Sequence, residues 1–364
     1  MIDRNRGIIS FTIISLLIAC TMDNHFWNVI EVNLEENYQI NAIQSVGDQI
    51  IFGGAITQDG TLKTHESRPY LQLSFDNGMT WVRKTDFDFN YVYGMQCNSN
   101  VLIVTGMKPD HRATFYKYTL DSNNWDKMIL PNEECRVVEI VNQNTFLFKV
   151  LKNQFGNTFL KTTDEGKTWE EHTVLMPDKR DIFEEKFVIG NKIWGIRIHH
   201  SNRDDPSDFQ SLVSIDINSW KLVDEIPLGK TVRNEKGYPI NTHWIVDATA
   251  SMGNVYLLGK DQIKNDKGYV WKVDIVNKKI VEQDNFELTS DEVPSNLFFH
   301  NGRIIVKYTS LSSFFPKQTL LYKSSEDSHW KKEDFPDLTY PIISFNDGKL
   351  MGVCQKSKIY FKQF

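Results

Sequence analysis

The sequence contains no stretch that is rich in lysine and arginine. Its 41 basic residues are outnumbered by 47 acidic residues, which gives a formal net charge of −6 at pH 7. A nucleic-acid surface needs clustered positive charge to neutralise phosphates. The composition therefore excludes nucleic acid as a partner.

Cysteine is scarce as well. The four cysteines stand at positions 20, 97, 135 and 354, with no Cys-x-x-Cys pair and no histidine-rich spacing beside them. Disulfide frameworks and zinc sites both need regularly spaced ligands. We therefore expect the last three cysteines to be buried free thiols, and we expect no metal ion and no other cofactor.

No long stretch repeats its apolar residues at the period of an α-helix, so an all-β chain is indicated. The 40% hydrophobic and 24% charged residues are ordinary for a globular protein with a real core. At 364 residues the chain is longer than a typical single domain unless it is built from repeats. The length therefore calls for an internal period.

The N-terminus has the pattern of an export signal. Arg4 and Arg6 precede an apolar run, 7–19, that is too short to span a bilayer. The run ends in Leu-Ile-Ala-Cys at 17–20, which resembles the lipobox of bacterial lipoproteins. The resemblance implies a signal peptide over 1–19, a lipid-bearing Cys20 and a short tether over 20–25. A plain signal peptide with a chance cysteine is the alternative.

The lipobox resemblance also implies an address in the bacterial cell envelope. Thr21 follows the cysteine, where an aspartate would be the usual signal for retention in the inner membrane. We therefore expect the chain to be anchored in the outer membrane through acyl chains on Cys20. Each buried methylene of an acyl chain contributes about 0.8 kcal/mol to membrane binding, so several chains would hold the protein firmly.

One octet occurs twice, as SFDNGMTW over 74–81 and as TTDEGKTW over 162–169. In such a sequence an aspartate can accept backbone N–H groups of a tight turn, and the glycine two residues later can adopt a positive φ. The threonine can close the turn, and the tryptophan can pack across the outer face of its hairpin. The octets therefore predict two locked turns, made by Ser74, Asp76, Gly78, Thr80 and Trp81, and by Thr162, Asp164, Gly166, Thr168 and Trp169.

In order and residue type, the octet resembles the Asp-box, also called the bacterial neuraminidase repeat. The Asp-box joins the third and fourth strands of a β-propeller blade in a sialidase-like superfamily. Weaker copies continue the pattern, with Asp274 in the aspartate position of one of them. The others contain Asp121 and Trp125, Asp216 and Trp220, and Trp330. Trp81, Trp125 and Trp169 stand 44 residues apart, as in propellers with four strands per repeat.

The repeats predict one β-propeller domain over 26–364. Apolar runs with central turns begin near residues 39, 90, 135, 186, 243, 295 and 340, which favours seven blades, with six as the alternative. The last run lacks a fourth strand. We therefore predict that the stretch 26–32 joins the C-terminal blade and closes the ring, which leaves no open sheet edge.

The family resemblance places ligands on the face opposite the Asp-box turns. The predicted function is a membrane-anchored, exported binding module for a protein or glycan, with an immunity-type or surface-assembly lipoprotein as specific versions. The loops on that face supply the candidate ligand residues His65, Arg68, Asp110, His111, Arg112, His199, His200, Arg203, Asp204, Arg233, Phe314 and Phe315.

A sialidase-like glycoside hydrolase is the alternative function. Sialidases grip a substrate carboxylate with three arginines, the first of which lies in an Arg-Ile-Pro motif. The sequence has no such motif, and its nearest string is Arg68-Pro69. His199 and His200 also make a poor metal pair, because neighbouring strand residues point to opposite faces. The sequence therefore assigns no catalytic residue and no metal ligand.

Overall fold

The structure, a computed structural model, describes residues 27–363 except 33–37, 58–65, 99, 111, 121, 123, 132–133, 152–156, 180, 200–208, 229–230, 234–238, 242, 252, 262–265, 312–316, 325–326, 328, 336–341, 347–348 and 355–357. The regular elements in this part of the chain are all β-strands. No helix among the described residues is long and apolar enough to cross a membrane. The predicted signal peptide and Cys20 lie outside the described residues.

The first strand, β1 (Asn28–Glu31), does not pair with the strand that follows it. The next strands form four-stranded sheets in which each strand pairs with its neighbours in sequence. Blade 1 contains β2 (Tyr38–Val46), β3 (Gln49–Ile56), β4 (Arg68–Ser74) and β5 (Val82–Lys84). Blade 2 contains β6 (Tyr91–Cys97), β7 (Val101–Met107), β8 (Ala113–Thr119) and β9 (Asn124–Met128). Blade 3 contains β10 (Cys135–Ile140), β11 (Phe146–Val150), β12 (Thr158–Thr162) and β13 (Glu170–Thr173).

The same order continues through the second half of the chain. Blade 4 contains β14 (Asp181–Ile189), β15 (Lys192–His199), β16 (Phe209–Asp216) and β17 (Lys221–Leu228). A separate hairpin, β18 (Thr231–Arg233) with β19 (Pro239–Asn241), lies between blades 4 and 5. Blade 5 contains β20 (His243–Ser251), β21 (Asn254–Asp261), β22 (Lys267–Asp274) and β23 (Lys279–Glu287). Blade 6 contains β24 (Glu292–His300), β25 (Arg303–Ser310), β26 (Lys317–Ser324) and β27 (Lys331–Asp334).

The first strand and the last three strands of the described chain form a seventh four-stranded sheet, blade 7. It contains β28 (Ile342–Asn346), β29 (Lys349–Cys354), β30 (Lys358–Gln363) and, as its outermost strand, β1. β1 runs antiparallel to β30, with Asn28 opposite Phe361 and Glu31 opposite Lys358. The predicted closure of the ring by the stretch 26–32 is therefore confirmed, and β30 is not left as an edge strand.

Two ends of the blades can be told apart by their connections. The turn between the first and second strands contacts the turn between the third and fourth strands, as where the Asn77 N–H donates to the Asp48 carbonyl over 2.9 Å. The Glu165 N–H donates in the same way to Asn144 in blade 3. We call this end the turn face. The opposite end, where second strands connect to third strands and one blade to the next, is the loop face.

The hydrophobic core is divided among the contacts between blades. The described residues form seven buried apolar clusters, and each joins two neighbouring sheets around the ring. For example, Ile359 of blade 7 packs with Phe52 and Tyr70 of blade 1. Because each sheet has apolar residues on both faces, burial is complete only when the ring is closed.

Tryptophans at the start of the outermost strands join one blade to the preceding one. The ring of Trp27 lies 4.6 Å from that of Phe335, and the ring of Trp125 lies 5.4 Å from that of Phe87. Trp169 donates its indole N–H to the Ile129 carbonyl of blade 2 over 3.1 Å. These rings also pack on their own blades: Trp125 stacks on Tyr118 across its hairpin at 4.6 Å, and the Trp169 ring lies 5.2 Å from that of Phe148 in blade 3. The tryptophans therefore contact their own sheet, as expected from the sequence, and the preceding one as well.

A β-bulge interrupts the first strand of each of blades 1 to 6 at an equivalent point. In four of these blades a glycine of the second strand faces the residue before the bulge. They are Gly54, Gly106, Gly195 and Gly259. A Cβ on Gly54 would lie 1.8 Å from the Gln39 carbonyl oxygen, and a Cβ on Gly195 would lie 2.2 Å from that of Glu184. The backbone of the bulged first strand thus passes so close to the second strand that only glycine, which has no Cβ, fits there.

Candidate functional site

The first octet forms a turn whose polar groups bond to one another. Asp76 accepts the Thr80 N–H at 2.8 Å and the Thr80 hydroxyl at 2.7 Å, one on each carboxylate oxygen. The Ser74 hydroxyl donates to Asp76 over 2.9 Å and accepts the Gly78 N–H at 2.7 Å. The backbone reverses through Asn77 and Gly78, with φ of 55° and 87°. Side chains within five positions of one another therefore close this turn.

The second octet repeats this arrangement in blade 3. Asp164 accepts the Thr168 N–H at 2.9 Å and the Thr168 hydroxyl at 2.6 Å, and the Thr162 hydroxyl accepts the Gly166 N–H at 2.9 Å. The hydrogen bonds from Thr168 hold the pKa of the Asp164 carboxyl at about 2, below its usual value of 3.8.

The lowered pKa of Asp164 predicts a loss of stability in acid. A carboxyl whose pKa is lower in the folded state than in the unfolded state stabilises the fold above the unfolded pKa, and this contribution is lost as the pH falls through the folded value. For Asp164 that window extends from 3.8 down to about 2. We expect Asp164→Ala to lower the melting temperature at pH 7, and the difference from wild type to shrink below pH 4. An Asp164→Ala protein that melts like wild type at pH 7 would contradict the locked turn.

The weaker copies use different turns. Asp216 accepts the backbone N–H groups of Asn218 and Ser219, and Trp220 lies within the turn at φ 54° rather than at the start of the next strand. Asp274 likewise accepts the N–H groups of Val276 and Asn277. Asp121 lies outside the described residues, whereas Trp330 packs on Phe286 with ring centroids 5.3 Å apart. In the described turns the carboxylates of these aspartates accept local hydrogen bonds, which gives them a structural role in the turns.

The structure describes part of the predicted ligand face. Arg68 is the first residue of β4, and Arg233 ends β18. Arg112 forms an exposed ion pair with Asp110, with its Nη2 atom 2.5 Å from the carboxylate. Seven of the predicted residues lie outside the described residues: His65, His111, His200, Arg203, Asp204, Phe314 and Phe315.

His199 is buried in a cluster of charged groups that sequence analysis missed. Its Nδ1 atom lies 2.7 Å from Asp181 Oδ1, and Arg197 Nε donates to Asp181 Oδ2 over 2.8 Å. The side chain of Asp181 is 0% exposed, that of Arg197 9% and that of His199 5%. Arg197 also pairs with Glu225 at 2.7 Å, and Phe209 stacks on His199 at 4.6 Å. This cluster ties the start of β14 to the end of β15, and it does not offer His199 to solvent.

A cleft of about 600 Å³ opens on the loop face of blade 1. Its described walls are Ile56, Thr57, Glu66, Arg68, Pro69, Arg83 and Thr85. The strand register places Arg68 opposite Ile56, and Arg83 opposite Gln72. Arg68 was among the predicted ligand residues, whereas Arg83 was not, because Arg83 lies on the outermost strand and joins the cleft only through sheet pairing.

Aromatic residues support one arginine of this cleft, Arg83. The Arg83 guanidinium lies 4.7 Å from the centre of the Tyr70 ring, and the Tyr38 and Tyr70 rings are 4.1 Å apart. Stacking of this kind orients a guanidinium without neutralising its charge. The buried Tyr38 hydroxyl has no hydrogen-bond partner among the described residues, and burial raises its pKa well above the usual value. The cleft therefore combines two arginines with a rigid apolar support.

The first strands of the blades carry a second set of ionisable groups, apart from the blade 1 cleft. First strands of neighbouring blades contact one another, as β2 contacts β6 and β20 contacts β24. On β10, burial raises the pKa of Glu139 to about 7, and on β20 burial raises the pKa of Asp247, which lies 3.6 Å from Lys186. No three His, Cys, Asp or Glu side chains in the described ranges are grouped so as to hold a metal ion.

Three solved structures resemble this chain in fold. YCF48 bound to D1 peptide has a TM-score of 0.57 and 11% identity, and the match covers 94% of this chain and 96% of that one. The β-propeller domain of the Trilobed protease from Pyrococcus furiosus has a TM-score of 0.58 and 10% identity, with 89% of this chain and 94% of that one covered. A post-proline cleaving enzyme from Rickettsia typhi has a TM-score of 0.51 and 12% identity, with 87% of this chain and 50% of that one covered. The fold is a β-propeller.

At these identities the similarity concerns the propeller fold alone. The Pyrococcus propeller is described as having an open velcro topology. In the present propeller, by contrast, β1 pairs with β30. No protein-family model matches the chain, and no curated protein matches it.

Proposed function

We propose that this protein is an exported binding module, held at the membrane by acyl chains on Cys20, that binds a protein segment through the loop face of its propeller. The proposal joins the lipobox resemblance at 17–20 to a fold that commonly serves as a binding platform. The hydrogen-bonded octets support a relationship to Asp-box propellers, in which the opposite face carries the ligand site.

The observation that carries the proposal is the direction of β1. Lys358, opposite Glu31, follows the connection from β29 on the loop face, so Asn28 lies toward the turn face. Trp27, which directly precedes β1, therefore lies at the turn-face end of this strand. Only residues 21–26 separate it from Cys20, and six extended residues span about 20 Å. An anchored propeller would hold its turn face near the membrane and leave the loop face accessible.

The blade 1 cleft indicates the chemistry of the ligand. Arg68 presents a guanidinium group, which pairs well with a carboxylate because it donates two parallel hydrogen bonds, and Arg83, held over the Tyr70 ring, adds positive charge beside the Glu66 carboxylate. Its volume of about 600 Å³ lies in the range of ligand pockets. YCF48, which has a similar fold, is bound to a peptide in its structure. A protein segment that carries a carboxylate is therefore the ligand class we favour.

A displayed library of random peptides, selected on the full-length purified protein, tests this function. We expect enriched peptides to carry acidic residues or a free C-terminal carboxylate. We expect Arg68→Gln to weaken their binding about tenfold or more, since a hydrogen bond to a charged group contributes about 1.5–3 kcal/mol. Arg112→Gln is the matched control, because Arg112 is exposed on the same face but paired with Asp110.

Three results would contradict the proposed ligand. Enriched peptides could bind Arg68→Gln as tightly as wild type. A glycan array could show specific binding while no peptide is enriched, which would favour a glycan. Turnover of a fluorogenic sialoside that depends on Arg68 would favour the glycoside hydrolase.

A further inference from the structure

The two octet turns differ at the positions that face solvent. Phe75 and Met79 occupy these positions in the first octet, and they are 43% and 83% exposed. The second octet has Thr163 and Lys167 at the same places, also exposed. The hydrogen bonds of the two turns are alike, so the geometry of the turn does not require apolar residues there. We call Phe75 and Met79 together the apolar tip.

The apolar tip lies beside the strand through which the chain enters the propeller. Gly78, between its two residues, packs so closely on β1 that an added Cβ would lie 2.8 Å from Ile30 Cδ1. Trp81 packs in the same cluster as Ile30. The second octet instead packs against blade 2, with Gly166 next to Met128. The apolar version of the turn is thus the one next to the predicted lipid anchor.

We propose that the apolar tip inserts into the surface of the lipid bilayer beside the acylated Cys20 and fixes the tilt of the propeller. This inference rests on the anchor in the proposed function. The six residues 21–26 reach about 20 Å at most, which keeps the turn of 74–81 near the bilayer. Exposed aromatic and aliphatic side chains gain free energy at the boundary between headgroups and acyl chains.

Charge favours an uncharged lipid surface over an anionic one. Asp76 lies within the same turn, and Asp48 is hydrogen-bonded to Asn77 at 2.7 Å. Two carboxylates this close to the apolar tip would be repelled by anionic headgroups. Insertion should therefore occur on phosphatidylcholine vesicles and should not be strengthened by phosphatidylserine.

A single label measures the insertion directly. The full-length lipidated protein carrying Met79→Cys is labelled with an environment-sensitive dye and reconstituted into phosphatidylcholine vesicles, and Lys167→Cys is the matched control in the second octet. The labelled parent protein corrects for Cys97, which is partly exposed. We expect dye emission at position 79 to shift to shorter wavelength on reconstitution, and dye emission at position 167 to stay unchanged.

The outcomes separate the insertion from the anchor. If the protein is acylated but the dye at position 79 shows no emission shift, the insertion of the apolar tip is contradicted while the lipid anchor stands. Absence of acyl chains on Cys20 would overturn the anchor. A dye placed on Val276→Cys tests the turn face of blade 5, where Val276 is 84% exposed. Equal emission shifts at positions 79 and 167, or a shift at position 276, would indicate a propeller that lies flat on the bilayer and would also overturn the proposal.

An exchange variant provides a second test without a dye. Phe75→Thr combined with Met79→Lys gives the first turn the residues that the second turn already carries, so the melting temperature should not change. Quenching of tryptophan emission by lipids brominated on their acyl chains should fall about twofold or more in this variant, because Trp81 would move away from the bilayer. Unchanged quenching would contradict the proposal.

Discussion

Replacing Gly54 with alanine is expected to prevent folding or to cost about 3 kcal/mol or more. The new Cβ would lie 1.8 Å from the Gln39 carbonyl oxygen and 2.8 Å from the Gln39 carbonyl carbon. Both are backbone atoms at the β-bulge of β2, so no side chain can rotate to relieve the contact. Urea unfolding, or the yield of soluble protein if none folds, measures the effect.

Gly94→Ala is the control for Gly54→Ala. Gly94 lies at the equivalent bulge of blade 2, on β6, and an added Cβ there would meet no atom within 4 Å. We expect its free energy of unfolding to change by no more than about 1 kcal/mol, with a small gain from the stiffer unfolded chain. Equal effects of the two substitutions would show that glycine matters for strand flexibility rather than for the crossing of the backbone.

Asp181→Ala is expected to lower the free energy of unfolding by about 3–5 kcal/mol, the cost typical of breaking a buried ion pair by removing one partner. The substitution leaves Arg197 and His199 buried without the carboxylate that contacts both of them, at 2.8 Å and 2.7 Å. Thermal and urea unfolding at pH 7 measure the loss. The larger part of the penalty arises from Arg197, whose side chain is 9% exposed and which would keep only the partly exposed Glu225 as its ion-pair partner.

Asp110→Ala is the matched substitution on the surface. Asp110 pairs with Arg112 at 2.5 Å, and both side chains are about half exposed, at 47% and 53%. Exposed ion pairs contribute at most about 1 kcal/mol, so we expect a small effect. A similarly small effect of Asp181→Ala would mean that Glu225 and water are enough to stabilise the charge of Arg197, and it would contradict a structural role for the buried Asp181.

The elements predicted best from the sequence are those that close locally. Asp76 and Thr80 are four residues apart, and their hydrogen bonds need no other part of the chain. The pairing of β1 with β30 was also predicted, because an unpaired last sheet and an unpaired first strand each leave an open edge. Both inferences follow from general rules of turn chemistry and sheet edges.

The close approach of the first and second strands also has a signal in the sequence, although it was not predicted. A glycine recurs near the middle of the second strands, as in IIFGGAI and KIWGIRI. It could have indicated the close backbone approach at Gly54 and Gly195. The pairing of Asp181 with His199 had no comparable signal, because it depends on the register of β14 against β15.

The sequence by itself determined the all-β class, the repeat of about 44 residues and the chemistry of the turns, since each depends on residues that are close along the chain. Only the tertiary structure decided which face of each tryptophan is buried, as for Trp27 against Phe335, 308 positions away. It also decided that Arg68 and Arg83 share a cleft while His199 is buried. Contacts of this kind depend on how sheets pack and pair around a closed ring, and spacing along a chain does not encode that arrangement directly.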